Sequence, residues 1–143
     1  MGESKALISP ITNNQKPAIS ATIDFNRPEL GRQAISFCPV EDDFVKDIAP
    51  ARTFALESEV EAILGAGLAR GGSLDCALVI GAGGPLNPGG LRFADEPVRH
   101  KLLDAMGDLF LLGGLPWADV RLHKPGDRLM HELASKAFDS LLP

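Results

Sequence analysis

His100 and Asp104 stand four residues apart in the run DEPVRHKLLDAMGDL, residues 95–109. On a helix that spacing puts both side chains on one face, about 5–6 Å apart, close enough to reach one ion. An imidazole and a carboxylate one turn apart can be half of a metal site or an ordinary His–Asp pair. A catalytic metal centre needs about three protein ligands and an open position for water. The turn KPGD, residues 124–127, precedes the last helical stretch. Its Asp127 reads either as an N-cap favoured by the helix dipole or as a third ligand. On a helical wheel Asp127 and His131 share a side with Met130, Ala134, Phe138 and Leu141, which would turn both toward the layer of His100 and Asp104. A set of His100, Asp104 and Asp127, with His131 as a fourth member, would bind zinc weakly and let Mn²⁺ or Fe²⁺ compete. The rival expectation is that Asp127 caps the helix and the His100–Asp104 pair is metal-free.

The elements that must position these groups follow from periodicity. AISATIDF alternates, with Ile19, Ala21, Ile23 and Phe25 on one side, and predicts a half-buried strand; AISFCPV predicts a second. EDDFVKDIAPARTF gives one or two helical turns and then extended chain. LESEVEAILGAGLARGG predicts an amphipathic helix with Leu56, Val60, Ile63 and Leu64 on one stripe, ended by glycines. DCALVIG is a continuous apolar strand. GAGGPLNPGG contains a GxGG but leads into Leu-Arg-Phe and not into a helix, so it is a loop and not a phosphate cradle. A long helix from about Asp95 to Gly113, a strand ADVRLHK and a last helix from about Asp127 to Leu142 complete the chain.

The predicted fold is α+β. One mixed sheet is covered on one face by two main helices, with a small β-α-β insert at about residues 55–80. Residues 1–17 read as a flexible lead-in to a single domain over 18–143. The long helix should meet the sheet through Val98, Leu102, Ala105, Leu109 and Leu112. Its other face carries His100, Asp104, Gly107 and Leu111, and a helix with two semi-apolar faces wants a partner on both sides.

With 143 residues, 45% of them hydrophobic, the chain is large enough for one real core. Its net charge of −5, without a basic block, argues against nucleic acid as a partner, while one or two cations suffice for a single diphosphate. Cys38 and Cys76 lie in strand-like runs without CxxC spacing and read as buried, reduced thiols of a cytoplasmic protein. No secretion signal, firm myristoylation pattern or apolar run long enough to cross a membrane is visible.

The motifs IDFNRP, ARTF, GGSLD, LNPGGLRF, DEPVRHKLLDAMGDL and KPG, from about Ile19 to the C-terminus, resemble the second domain of the UDP-3-O-acyl-N-acetylglucosamine deacetylases. These are zinc amidases of lipid A synthesis in Gram-negative bacteria. The resemblance implies half of a β-α-α-β sandwich, in which two similar domains pack helix layer on helix layer around zinc. It makes His100 and Asp104 zinc ligands and Lys101 the neighbouring active-site lysine. Thr53 would contact the sugar, with Phe54 beside it at the insert for the fatty acyl chain; Asp24, Phe25 and Lys124 would hold the uridine diphosphate. The departures are as informative. The family's first domain, with a third ligand and a glutamate base, has no counterpart in this sequence, and Asp127 replaces a histidine that stabilises the oxyanion. A carboxylate there repels developing negative charge. The expectation is a domain inactive as a deacetylase by itself, retaining a UDP-sugar or acyl-binding surface. It would pair as a homodimer through its helix layer or with a separate first-domain-like protein. The alternatives are a split-enzyme half and a small metal hydrolase with a rebuilt site.

Overall fold

The structure, a computed structural model, describes residues 3–67, 69 and 71–141. Strands β1 (Lys5–Pro10), β2 (Ala18–Asp24) and β3 (Arg32–Phe37) are followed by the short helix α1 (Phe44–Asp47). Next come β4 (Thr53–Leu56), α2 (Glu57–Gly65), β5 (Ala77–Gly81) and the two-residue β6 (Gly84–Pro85). The long helix α3 (Glu96–Phe110), β7 (Ala118–His123) and α4 (Asp127–Leu141) complete the domain. The expected end of α4 at Leu142 lies outside the described residues.

The fold is α+β, built on two sheets. The main sheet has the order β1-β7-β2-β3, with β2 and β7 parallel and the other pairs antiparallel. A parallel pair needs a crossover, and α3 supplies it by crossing the sheet between β2 and β7. Phe25 lies just past the strand end and is exposed, whereas the alternation read in β2 is realised for Ile19, Ala21 and Ile23, which are buried. They meet Val98, Leu102, Ala105 and Leu109 of α3 in one cluster with Val120 and Leu122 of β7. Leu112 packs at the margin of that cluster from the turn after the helix. Helix α4 lies beside α3 and reaches β1.

Three expectations are corrected here. Residues 5–10 are no flexible lead-in: they pair antiparallel with β7 from Lys5–His123 to Pro10–Ala118. Without them β7 would be an open edge, and the half-buried Ala6 and Ile8 cover part of the core. The apolar stripe of α4 is centred on Met130, Leu133 and Ala134, with Asp127, His131 and Phe138 exposed. A helical wheel places it closer to Asp127, because a wheel cannot show which side α3 takes. Met130 and Ala134 are consequently part of the chain's own packing, and the apolar side chains left open around the helix layer are Phe110, Leu111 and Phe138. Finally, Cys76 is exposed in the turn before β5, and Cys38 at the end of β3 is half-buried.

The insert forms a second sheet, β4-β5-β6, with β4 and β5 parallel across α2. Its own core is small: Leu30, Leu78 and Ile80, with Phe54 and Leu56 against them. Helix α2 buries none of its residues. Its apolar stripe lines a slot instead of filling a core. The LNPGG stretch organises the insert, because Asn87 accepts from the Val79 amide at 2.9 Å and donates to the Leu74 and Ala77 carbonyls. Among the described residues no helix is long and apolar enough to cross a membrane.

Candidate functional site

Helix α3 holds His100 and Asp104 as the spacing predicts. His100 Nε2 lies 3.2 Å from Asp104 Oδ1, and its Nδ1 lies 3.0 Å from the Ala51 carbonyl. That carbonyl can only accept, so the proton sits on Nδ1 and the lone pair of a neutral ring is on Nε2. Burial disfavours the imidazolium, yet the Asp104 carboxylate and the Ala51 carbonyl outweigh it and raise the His100 pKa. Burial also pushes on Asp104, but His100 and Lys101 together hold its carboxyl below the usual range. Lys101 Nζ lies 3.1 Å from Asp104 Oδ2. Asp104 thus stands between the His100 imidazole and the Lys101 ammonium.

The donor set fits two positions of a zinc site. A ring fixed through Nδ1 by a backbone carbonyl presents Nε2, and a carboxylate sits one turn away, which is the arrangement such a ligand pair requires. The third position is another matter. Asp127 shares a crevice with Lys101, Asp104, Asp108 and Met130, while His131 faces Asp108, Nε2 to Oδ1 at 3.9 Å. Among the described residues no group of three or more His, Cys, Asp or Glu side chains is placed to hold a metal ion. Asp127 is also not the cap: it is the first helical residue, and the Gly126 carbonyl accepts the Met130 amide. Its charge still complements the helix N-terminus.

Asp108, one turn beyond Asp104, escaped sequence reading. Burial raises its pKa, and Asp127 and Asp104 add to that, against His131 and Lys101. The i, i+4 series 100, 104, 108 was its only available signal.

Asp24, Phe25 and Lys124 do come together. With Asn26, Arg27 and Pro125 they line a surface cleft of about 480 Å³ at the end of β2. Lys124 adopts φ +50°, unusual for a side chain with a Cβ, and its Nζ lies 3.6 Å from Asp24 Oδ2. Its amide is tied to the Thr22 carbonyl at 2.7 Å, so the turn after β7 is locked onto β2. Thr53 and Phe54 lie at a second cavity, an apolar slot of about 400 Å³ walled by Val60, Ile63, Leu64 and Val79. The two places meet at one contact, since the Phe25 and Phe54 rings stack edge to face with centroids 5.5 Å apart.

A cleft bearing Asp24, Arg27 and Lys124, an apolar slot and a His–Asp pair thus lie on one α+β scaffold. The chain belongs to the UDP-3-O-acyl N-acetylglycosamine deacetylase family, whose model matches residues 1–139. It is 43% identical to the UDP-3-O-acyl-N-acetylglucosamine deacetylase of Bdellovibrio bacteriovorus over 139 residues, 97% of this chain and 45% of that protein. The Myxococcus xanthus deacetylase is 42% identical over 96% of this chain and 43% of its own length. The Trichormus variabilis deacetylase is 49% identical over 80% of this chain and 41% of its own length. The chain therefore spans less than half of the curated relatives it matches.

Proposed function

We propose that this chain is the ligand-holding half of a deacetylase-type site, binding a UDP-sugar with an acyl chain and inactive as a deacetylase on its own. The observation that supports this most is the continuity from the Asp24–Lys124 cleft through the Phe25–Phe54 contact to the apolar slot. In this reading Lys124 meets the diphosphate, Thr53 the sugar and the slot the acyl chain, as the names of its relatives suggest. His100 and Asp104 would hold a zinc ion together with ligands from a partner. Such an ion would polarise the amide carbonyl and activate water, and Lys101 would offer its charge beside it.

Titration of the purified chain with UDP, followed by amide chemical shifts, tests the reading. Shifts are expected around Asp24, Phe25 and Lys124, and Lys124→Ala should weaken binding about tenfold, the typical weight of one charged contact. Shifts scattered over the surface, indifferent to Lys124→Ala, would refute a built nucleotide cleft.

Metal content separates the half-site from a rebuilt hydrolase. With two donors in place, elemental analysis after dialysis is expected to give well below one metal per chain, with Asp127→Ala leaving the value unchanged. Near-stoichiometric metal lost in Asp127→Ala would favour the rebuilt site.

The partner in this proposal sits on the helix layer. Phe110, Leu111 and Phe138 are between 52% and 70% exposed there, which is unusual for a surface without a partner. A two-fold dimer through this layer is the simplest closed arrangement, with a first-domain-like protein as the rival occupant. Light scattering is expected to show a dimer at about 100 μM that Leu111→Glu converts to monomer. A monomer at that concentration leaves the layer to a different protein.

A further inference from the structure

Arg52 and Glu96 are the most deeply buried charged residues of the described chain, and no sequence motif had assigned them a role. Arg52 donates from Nε to Glu96 Oε1 at 2.8 Å and from Nη2 to Oε2 at 3.0 Å, the fork geometry that fixes both planes. Its backbone amide adds a third bond to Oε1. The remaining guanidinium donors reach the Gly90 carbonyl at 2.7 Å and the Leu74 carbonyl at 3.4 Å. Glu96 in turn accepts the Arg92 amide at 2.7 Å. The cluster thus binds the first turn of α3 to both loops that frame the insert.

Its place in the chain matters more than its strength. Ala51 gives its carbonyl to His100, Arg52 is clamped to α3, and Thr53 and Phe54 open the wall of the apolar slot. The contact of α3 with β4 is the main one between regular elements of the insert and of the larger unit. A slip of β4 by one residue would move the slot by about 3.3 Å and reverse its side chains. A chain bound in the slot meets chemistry at the His100–Asp104 pair only if that register holds, because reacting groups must be placed to within a fraction of an ångström.

We infer that Arg52 and Glu96 are positioning residues that hold the acyl slot in register with the His100–Asp104 pair. The inference rests on the reading of the slot as an acyl site, but the register can be measured without any ligand. The variant Arg52→Met/Glu96→Leu replaces the pair by apolar side chains of similar size, an exchange that proteins often tolerate without loss of stability. In the parent chain, amide residual dipolar couplings from β2, β7, β4 and β5 should fit one alignment tensor. In the double variant the main sheet should keep its couplings while β4 and β5 depart from that tensor. Exchange of the Ala77–Gly81 amides should then rise about tenfold against an unchanged main sheet. One tensor fitting both sheets in the folded variant would overturn the inference, since the pair would then act only on stability.

If the double variant does not fold, Arg52→Lys serves with the same readout. Lysine keeps the charge beside Glu96 but cannot bridge Gly90 and Leu74 together. Again, an unchanged single tensor overturns the inference. Lauric acid titrated onto the parent, followed at the Ile63 and Val79 methyl groups, tests the slot itself. No response there removes the acyl reading, while the dipolar couplings still decide whether the pair sets the register.

Discussion

Incubated with UDP-3-O-acyl-N-acetylglucosamine and zinc, the purified chain is expected to release no measurable acetate. Three deficits act on the same transition state. Among the described residues no third zinc-type donor joins His100 and Asp104, whereas a hydrolytic zinc takes about three protein ligands and keeps its fourth position for water. Of the carboxylates on α3 near them, Asp104 is held by His100 and Lys101, and Asp108 faces His131. The crevice of Asp104 and Asp108 also presents Asp127, a carboxylate that would repel an oxyanion developing there. Loss of one oxyanion donor typically slows such a reaction by about 10²–10³, and loss of the metal-bound water costs several kcal/mol more. Mass-spectrometric detection of deacetylated product over hours makes the test sensitive. Turnover within about tenfold of a complete relative, abolished by a chelator, would show that the chain builds its own site.

The largest effect on stability is expected at Glu96. Its carboxylate has no solvent exposure and accepts from the Arg52 side chain, the Arg52 amide and the Arg92 amide. Burial pushes its pKa up, but these donors prevail and keep it below the usual carboxylate range. Glu96→Ala leaves the Arg52 guanidinium charged and without its counter-ion in the interior, and removing one partner of such a pair costs about 3–5 kcal/mol. Urea unfolding is expected to show that loss with an unchanged m-value, and Glu96→Gln should fall between the two. A loss below about 1 kcal/mol for Glu96→Ala would mean that water or another carboxylate has taken over the site.

The sign of the pH dependence follows from the same pair. A carboxyl with a lowered folded pKa contributes stability above its unfolded pKa, and that contribution disappears as pH falls through the folded value. The stability difference between the parent and Glu96→Gln should therefore be constant near neutrality and shrink in acid.

Composition and spacing alone determined a good part of this protein. The strict alternation of Ile19, Ala21 and Ile23 admits one strand face, because side chains of period two cannot be buried otherwise. Val98, Leu102, Ala105 and Leu109 likewise define one stripe, which by the same helical geometry puts His100 and Asp104 together on another face. The runs ARTF, LNPGGLRF and DEPVRHK carried the family, which the 43% identity over 97% of the chain now shows. Only the tertiary structure could decide what depends on a neighbour. Lys5–Pro10 is short and mixed in polarity, and it is a strand because the β7 edge completes its hydrogen bonds. The rotation of α4, which exposes Asp127 and His131, was set by where α3 lies against it, since a wheel carries no absolute direction. The Arg52–Glu96 clamp joins residues 44 apart in sequence, and two ordinary charged letters become a buried pair only when the folded chain takes both out of water.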